Sequence, residues 1–179
     1  KPFRGNDYPI TFGYMGGKNL FKGYKVLINA FSKCEQKRAK LIMWGVPKSE
    51  ILNGRLNIET RKSYAPEQIN DVFKKIDVGI MPSIWEETFG IVGVEWLTAR
   101  IPVIGSNIGG IPEWLRDGAN GFLVPPNDAQ QLFQKMDLFI KNPGLIAELQ
   151  RRMNPWETIG EHIKKMAALY EDLIPSDGQ

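Results

Sequence analysis

Pro82-Ser83-Ile84-Trp85-Glu86-Glu87-Thr88-Phe89-Gly90-Ile91-Val92-Gly93-Val94-Glu95 is the stretch on which the fold and chemistry of this chain turn. A short apolar run, residues 78–81, leads straight into it and has the length of a buried strand. The stretch then passes a Phe-Gly step and enters an apolar helix. A strand followed by a loop, a glycine and a helix start makes an anion site, because the first N–H groups of a helix have no partner inside it. Glu87 and Glu95 are separated by seven residues and bracket that helix start. Backbone donors between two fixed carboxylates suit a ligand with phosphate at its centre and hydroxyl groups at both ends. A sugar nucleotide has that layout.

Outward from this stretch, strand-like and helix-like segments alternate. Apolar runs predict strands at 10–15, 41–44, 56–60, 78–81, 102–105 and 121–124. Helical periodicity and start signals predict helices at 24–34, 66–76, 89–99 and 128–141, with short ones at 47–52 and around Pro112. Two more, at 145–153 and 156–173, form a helical tail. Alternation of this kind predicts an α/β, Rossmann-like, doubly wound parallel sheet of six strands, with helices on both faces. The expected order is 3-2-1-4-5-6, which puts ligands outside the strand ends at the switch point between strands one and four. The loops after those two strands, 16–23 and 83–90, are the chemically unusual ones. The expected organisation is a linker over 1–9, a nucleotide-sugar-binding domain over 10–155 and a C-terminal helix over 156–179.

Bulk properties narrow the function. The chain has 179 residues, 42% of them apolar and 24% charged, which is ordinary for one globular domain. A net charge of +3 is too small to indicate a nucleic-acid or membrane surface. The single cysteine, Cys34, lies on an apolar helical stripe and reads as a core thiol in a reducing, cytoplasmic setting. No apolar run reaches membrane-spanning length. His162 is the one histidine, which excludes a histidine-rich metal site and leaves little for a histidine-based triad. No carboxylate cluster remains for a divalent metal.

The first loop resembles two nucleotide motifs and satisfies neither. Gly13, Gly16 and Gly17 have the wrong spacing for a dinucleotide fingerprint, which disfavours a nicotinamide-dependent oxidoreductase. A P-loop needs Ser or Thr after its lysine, and Asn19 follows Lys18. What remains is a glycine turn, Gly16-Gly17, with Lys18 and Lys22 at a helix entrance. The plain alternative is a connecting loop with solvated lysines; its position at the switch point favours phosphate. Glu95 taken alone reads as a helix position turned to water. With Glu87 at the other end of the same unit, a ligand role is favoured, because an unsatisfied buried carboxylate is costly. Glu86 neighbours Glu87 and points elsewhere. The run 61–64, with Arg61 and Ser63, follows the third strand and is placed to frame a base with backbone groups. Trp85, Trp96 and Trp114 read as core-packed or partly buried residues, and His162 and Arg151-Arg152 as solvated positions.

The chain resembles the C-terminal, donor-binding domain of retaining glycosyltransferases of the GT-B fold, in the large group-1 family (family four). The resemblance runs from about Ile10 to Leu173. Residues 81–95 look like the family's E-x7-E signature, and Pro102-Val103-Ile104-Gly105, Gly109-Gly110-Ile111-Pro112-Glu113 and the run 117–126 follow in the family's order. Lys22-Gly23 looks like the family's Lys-Gly at the first helix. The resemblance implies that Glu87 contacts hydroxyls of the transferred sugar and that Glu95 hydrogen-bonds the ribose. It implies that amides of Phe89, Gly90, Ile91 and Val92, beside Thr88, hold a UDP- or GDP-sugar diphosphate with Lys22, with no metal and no further cofactor. It also implies a preceding acceptor-binding domain, to which residues 1–9 would link and residues 156–173 would cross back; an isolated half is expected to bind donor and transfer little. One position departs from the family: the usual arginine of the first loop is Gly17 here, and neighbouring Lys18 cannot reproduce a bidentate guanidinium contact. A non-catalytic sugar-nucleotide-binding module is the competing expectation.

Overall fold

The computed structural model describes residues 8–153 and 159–173. The strands are β1 (Ile10–Tyr14), β2 (Ala39–Trp44), β3 (Ile58–Arg61), β4 (Val78–Met81), β5 (Val103–Ser106) and β6 (Gly121–Val124). The α-helices are α1 (Tyr24–Ser32), α2 (Ile69–Phe73), α3 (Ile91–Thr98), α4 (Ile111–Trp114), α5 (Ala129–Lys141), α6 (Gly144–Arg152) and α7 (Ile159–Leu173). The strands form one six-stranded sheet in the order β3-β2-β1-β4-β5-β6, every pair parallel. This is the expected doubly wound order, with its switch point between β1 and β4.

Why these segments adopt these forms follows from burial. Every residue of β1 is buried, as a central parallel strand covered on both faces requires. Tyr24, Leu27, Ala30 and Phe31 form the buried stripe of α1, at helical spacing. Asp128 caps α5, its carboxylate accepting from the amides of Gln130 and Gln131 at 2.9 Å. Cys34 is buried just beyond α1, and burial pushes its thiol up to about 12, so it stays protonated and inert. The apolar residues Ile163, Leu169 and Leu173 of α7 are exposed. Among the described residues no helix is long and apolar enough to cross a membrane.

Two features of the packing position the site. The ring of Trp96, fully buried, packs against β4 at Gly79, where a Cβ would come 2.3 Å from it. The missing side chain at Gly79 therefore seats α3 close against the sheet. The register pairs Gly13 with Gly79, so the end of β4 reaches beyond Tyr14 to the level of the loop after β1. The two switch-point loops consequently emerge side by side.

Some boundaries differ from expectation. The segment expected as one helix over 66–76 splits into a 3-10 turn, Pro66–Gln68, and the short α2. The third strand is Ile58–Arg61 rather than 56–60. The helix expected from Phe89 begins at Ile91, because Gly90 takes a left-handed conformation, φ 80°, that breaks helical hydrogen bonding. Of the three tryptophans read as core-packed or partly buried, Trp96 and Trp114 are core residues and Trp85 is 58% exposed. The linker expectation for 1–9 and the start of the 156–173 helix fall largely outside the described residues.

Candidate functional site

The loop after β1 and the loop after β4 are joined by backbone. Asn19 caps the 3-10 turn Leu20–Lys22 by accepting from the Phe21 amide at 2.9 Å. The Phe21 carbonyl in turn accepts from the Ile84 amide at 2.9 Å, and the Phe21 and Trp85 rings pack with centroids 5.5 Å apart. This clasp delivers Lys22, from the first loop, to Glu87, from the second.

Glu87 is only 7% exposed and is held on every side. Lys22 Nζ lies 2.6 Å from Oε1 and 2.7 Å from Oε2. The Ser83 hydroxyl donates to Oε1 at 2.7 Å. The Glu87 carbonyl accepts from the Gly110 amide at 2.7 Å. A carboxylate this buried is tolerable because it is both paired and hydrogen-bonded.

An open trough runs along the strand ends. One part, about 350 Å³, is lined by Lys22, Ser83, Glu87 and residues 88–92 over a floor that includes Tyr14 and Met81. The other, about 670 Å³, is lined by Gly17, Trp44, Gly45, Ser63, Tyr64 and Glu95. Met15, Gly16, Ile91 and Val92 border both parts, so the first turn of α3 stands at the middle of the trough. The Trp114 indole donates to the Phe89 carbonyl, and the trans peptide turns the Gly90 N–H away from Trp114. The start of α3 thereby presents backbone donors and the positive end of its dipole.

Glu95 closes the far end. Burial raises its carboxyl above the usual range, and no hydrogen bond among the described residues reaches it. Burial first, and the Glu95 charge second, push the Tyr64 phenol up as well. A half-buried carboxylate without a partner is poised for donors that a ligand brings, such as hydroxyl groups.

The residues singled out from sequence are brought together unevenly. Gly16, Lys22, Glu87, Thr88, Phe89, Gly90, Ile91 and Val92 border the first part of the trough, and Gly17, Ser63 and Glu95 the second. Lys18 borders neither. Its ammonium lies 2.8 Å from Glu50 Oε1, and Tyr24 donates to the other oxygen at 2.8 Å. Lys18 first, and Tyr24 after it, hold the Glu50 carboxyl below its usual range. Arg61 also borders neither part and pairs with Glu59. Glu86 is exposed, away from Glu87. Sequence reasoning passed over Ser83, Tyr14, Trp44 and Gly45. A signal existed for two of them: Trp44 and Gly45 stand at the carboxyl end of β2, the edge where ligands gather.

A parallel sheet in this order, with a helix start between two carboxylates at its switch point, defines a Rossmann-like domain of the kind found in GT-B glycosyltransferases. The family model described as glycosyl transferases group 1 matches residues 4–155, and the chain belongs to that family. A D-inositol 3-phosphate glycosyltransferase of Streptomyces scabiei is 35% identical over 92 residues, which cover 51% of this chain and 20% of that protein. An uncharacterized 41.2 kDa protein in the cps region of Klebsiella pneumoniae is 29% identical over 131 residues, 72% of this chain and 36% of that protein. Among solved structures, Anabaena Alr3699/HepE in complex with UDP and glucose superposes with a TM-score of 0.78 at 21% identity, covering 93% of this chain and 49% of that one. Sucrose-phosphate synthase from Thermosynechococcus elongatus gives a TM-score of 0.78 at 22% identity, covering 94% and 46%. At those identities the structural likeness shows the fold. The chain spans about half the length of these solved structures and smaller shares of the two sequence relatives.

Proposed function

We propose that this chain binds a nucleoside-diphosphate sugar and forms the donor-binding half of a configuration-retaining glycosyltransferase that needs no divalent metal. The observation that carries this reading is the trough itself: the Lys22–Glu87 pair at one end, the start of α3 in the middle and the unpartnered Glu95 at the other. The diphosphate lies at the α3 amides, with Lys22 turning to it. The sugar reaches Glu87, and the ribose hydroxyls bond Glu95. The base enters the part bordered by Trp44, Ser63 and Tyr64. In transfer, the bond from the sugar's anomeric carbon to the diphosphate oxygen breaks, and the electron pair leaves with the diphosphate. The acceptor hydroxyl bonds to that carbon on the same face and passes its proton to the departing diphosphate oxygen. Lys22 and the helix amides stabilise the charge that develops on the departing diphosphate. The acceptor is held by another half, toward which the exposed stripe of α7 faces in the whole enzyme.

A second reading, a non-catalytic sugar-nucleotide-binding module, is favoured by one observation. The loop arginine usual in this family is absent, with Gly17 in its place at φ 64°, and Lys18 is engaged by Glu50. Calorimetry of the chain against UDP-, GDP- and ADP-sugars tests the donor proposal; binding of none overturns it. Sugar transfer by a protein that joins this chain to an acceptor-binding half separates the two readings.

A further inference from the structure

We infer that Ser83 is the positioning residue for Glu87, holding its carboxylate toward the sugar once the donor has drawn Lys22 away. The inference rests on the donor-binding reading. Glu87 is gripped from two unlike sides. Lys22, whose side chain is 39% exposed, comes from the open side of the trough and reaches both carboxylate oxygens. Ser83, 2% exposed, comes from the closed side and donates to Oε1 alone at 2.7 Å. A diphosphate at the start of α3 competes for the lysine, because the ammonium is a mobile point charge on a flexible stem. The serine cannot follow, since it is enclosed at the end of β4 and its hydroxyl has one heavy-atom bond of rotation. After the lysine leaves, Ser83 is the side-chain donor that remains on the Glu87 carboxylate among the described residues. It occupies one lone pair of Oε1 and leaves Oε2 open to the sugar's hydroxyl groups. Without it, a buried carboxylate would turn toward water and lose its aim.

The test uses the whole chain with UDP-glucose against UDP, and GDP-glucose against GDP. Ser83→Ala is expected to weaken the sugar-bearing ligand about tenfold while leaving the free nucleotide within about twofold. Ser83→Thr, which keeps the hydroxyl, restores the difference. In a Glu87→Ala background, which removes the acceptor, Ser83→Ala has no further effect on the ratio. Equal weakening of nucleotide and nucleotide sugar, or an unchanged ratio when Glu87 is intact, overturns the inference. A crystal structure of Lys22→Ala gives a ligand-free readout: the Glu87 carboxylate stays within hydrogen-bond distance of Ser83 Oγ. A carboxylate turned away from Ser83 there overturns the inference too. If the wild-type chain binds neither ligand pair, the donor reading falls, and the Lys22→Ala structure alone decides whether Ser83 holds Glu87.

Discussion

Gly23 and Pro82 meet backbone to backbone: a Cβ at position 23 would come 1.8 Å from the Pro82 carbonyl oxygen. Gly23 also has φ 73°, the left-handed region that side chains resist. This contact sets the first switch-point loop against the second and carries Lys22 to Glu87.

Gly23→Ala should therefore destabilise the fold strongly, because backbone atoms, unlike a flexible side chain, cannot yield to the added methyl group. Strain at the left-handed φ contributes about 1–2 kcal/mol and the clash adds to it. Gly17→Ala is the control. It has φ 64°, but its Cβ would find nothing nearer than 3.9 Å, so it should cost only the strain. Denaturant unfolding of both variants measures the difference. Similar losses would show that the Gly23–Pro82 approach is not tight.

Lys22→Ala should weaken UDP binding by about 1.5–3 kcal/mol, the range for hydrogen bonds to charged groups. Lys18→Ala should leave it within about twofold, since Lys18 is held by Glu50 outside the trough. Lys22→Ala should also lower Tm, because Glu87 loses its counter-charge in a buried position. Adding Glu87→Ala should recover part of that loss. Calorimetry and thermal unfolding of the set provide both readouts.

Glu95→Gln should trade affinity for stability. Burial raises the Glu95 carboxyl in the folded chain, so the folded state holds its proton to higher pH than the unfolded state. Stability from this group is thus greatest below the unfolded value and declines as pH rises through the folded value. Above that window the ionised, half-buried carboxylate is a standing cost, which glutamine removes. The variant should melt higher than wild type at pH 7, and the gain should fade as pH falls through the carboxylate range. UDP affinity should drop at pH 7 because the carboxylate proposed to accept from the ribose hydroxyls gives way to a neutral amide, a weaker acceptor. A Tm difference that does not vary with pH would contradict this account.

Metal removal should leave nucleotide binding unchanged. The groups assigned to the diphosphate are an ammonium and helix amides, neither of which needs Mg²⁺. Titration with UDP in EDTA and in Mg²⁺ should agree within about twofold. Loss of binding in EDTA would require a different anion site.

Much of this architecture is legible along the chain, because parallel sheets leave local marks. The run Val78–Met81 is apolar for the reason that β4 is covered on both faces, and the Phe-Gly step ahead of Ile91 marks a helix start. From such marks come the strand-helix alternation and the pairing of Glu87 and Glu95 with one loop-helix unit; the strand order and its switch point follow from the doubly wound class that the alternation indicates. Local pattern carries no information about partners distant in sequence. Lys18 and Lys22 are equivalent as sequence, both lysines in one glycine loop. Only the folded chain sends one to Glu50 and the other 65 positions along to Glu87. Ser83 is an unremarkable serine until β4 buries it four residues from the carboxylate it touches. Burial at strand ends depends on which loops become neighbours, and that is settled by the order of strands in the sheet rather than by any one segment.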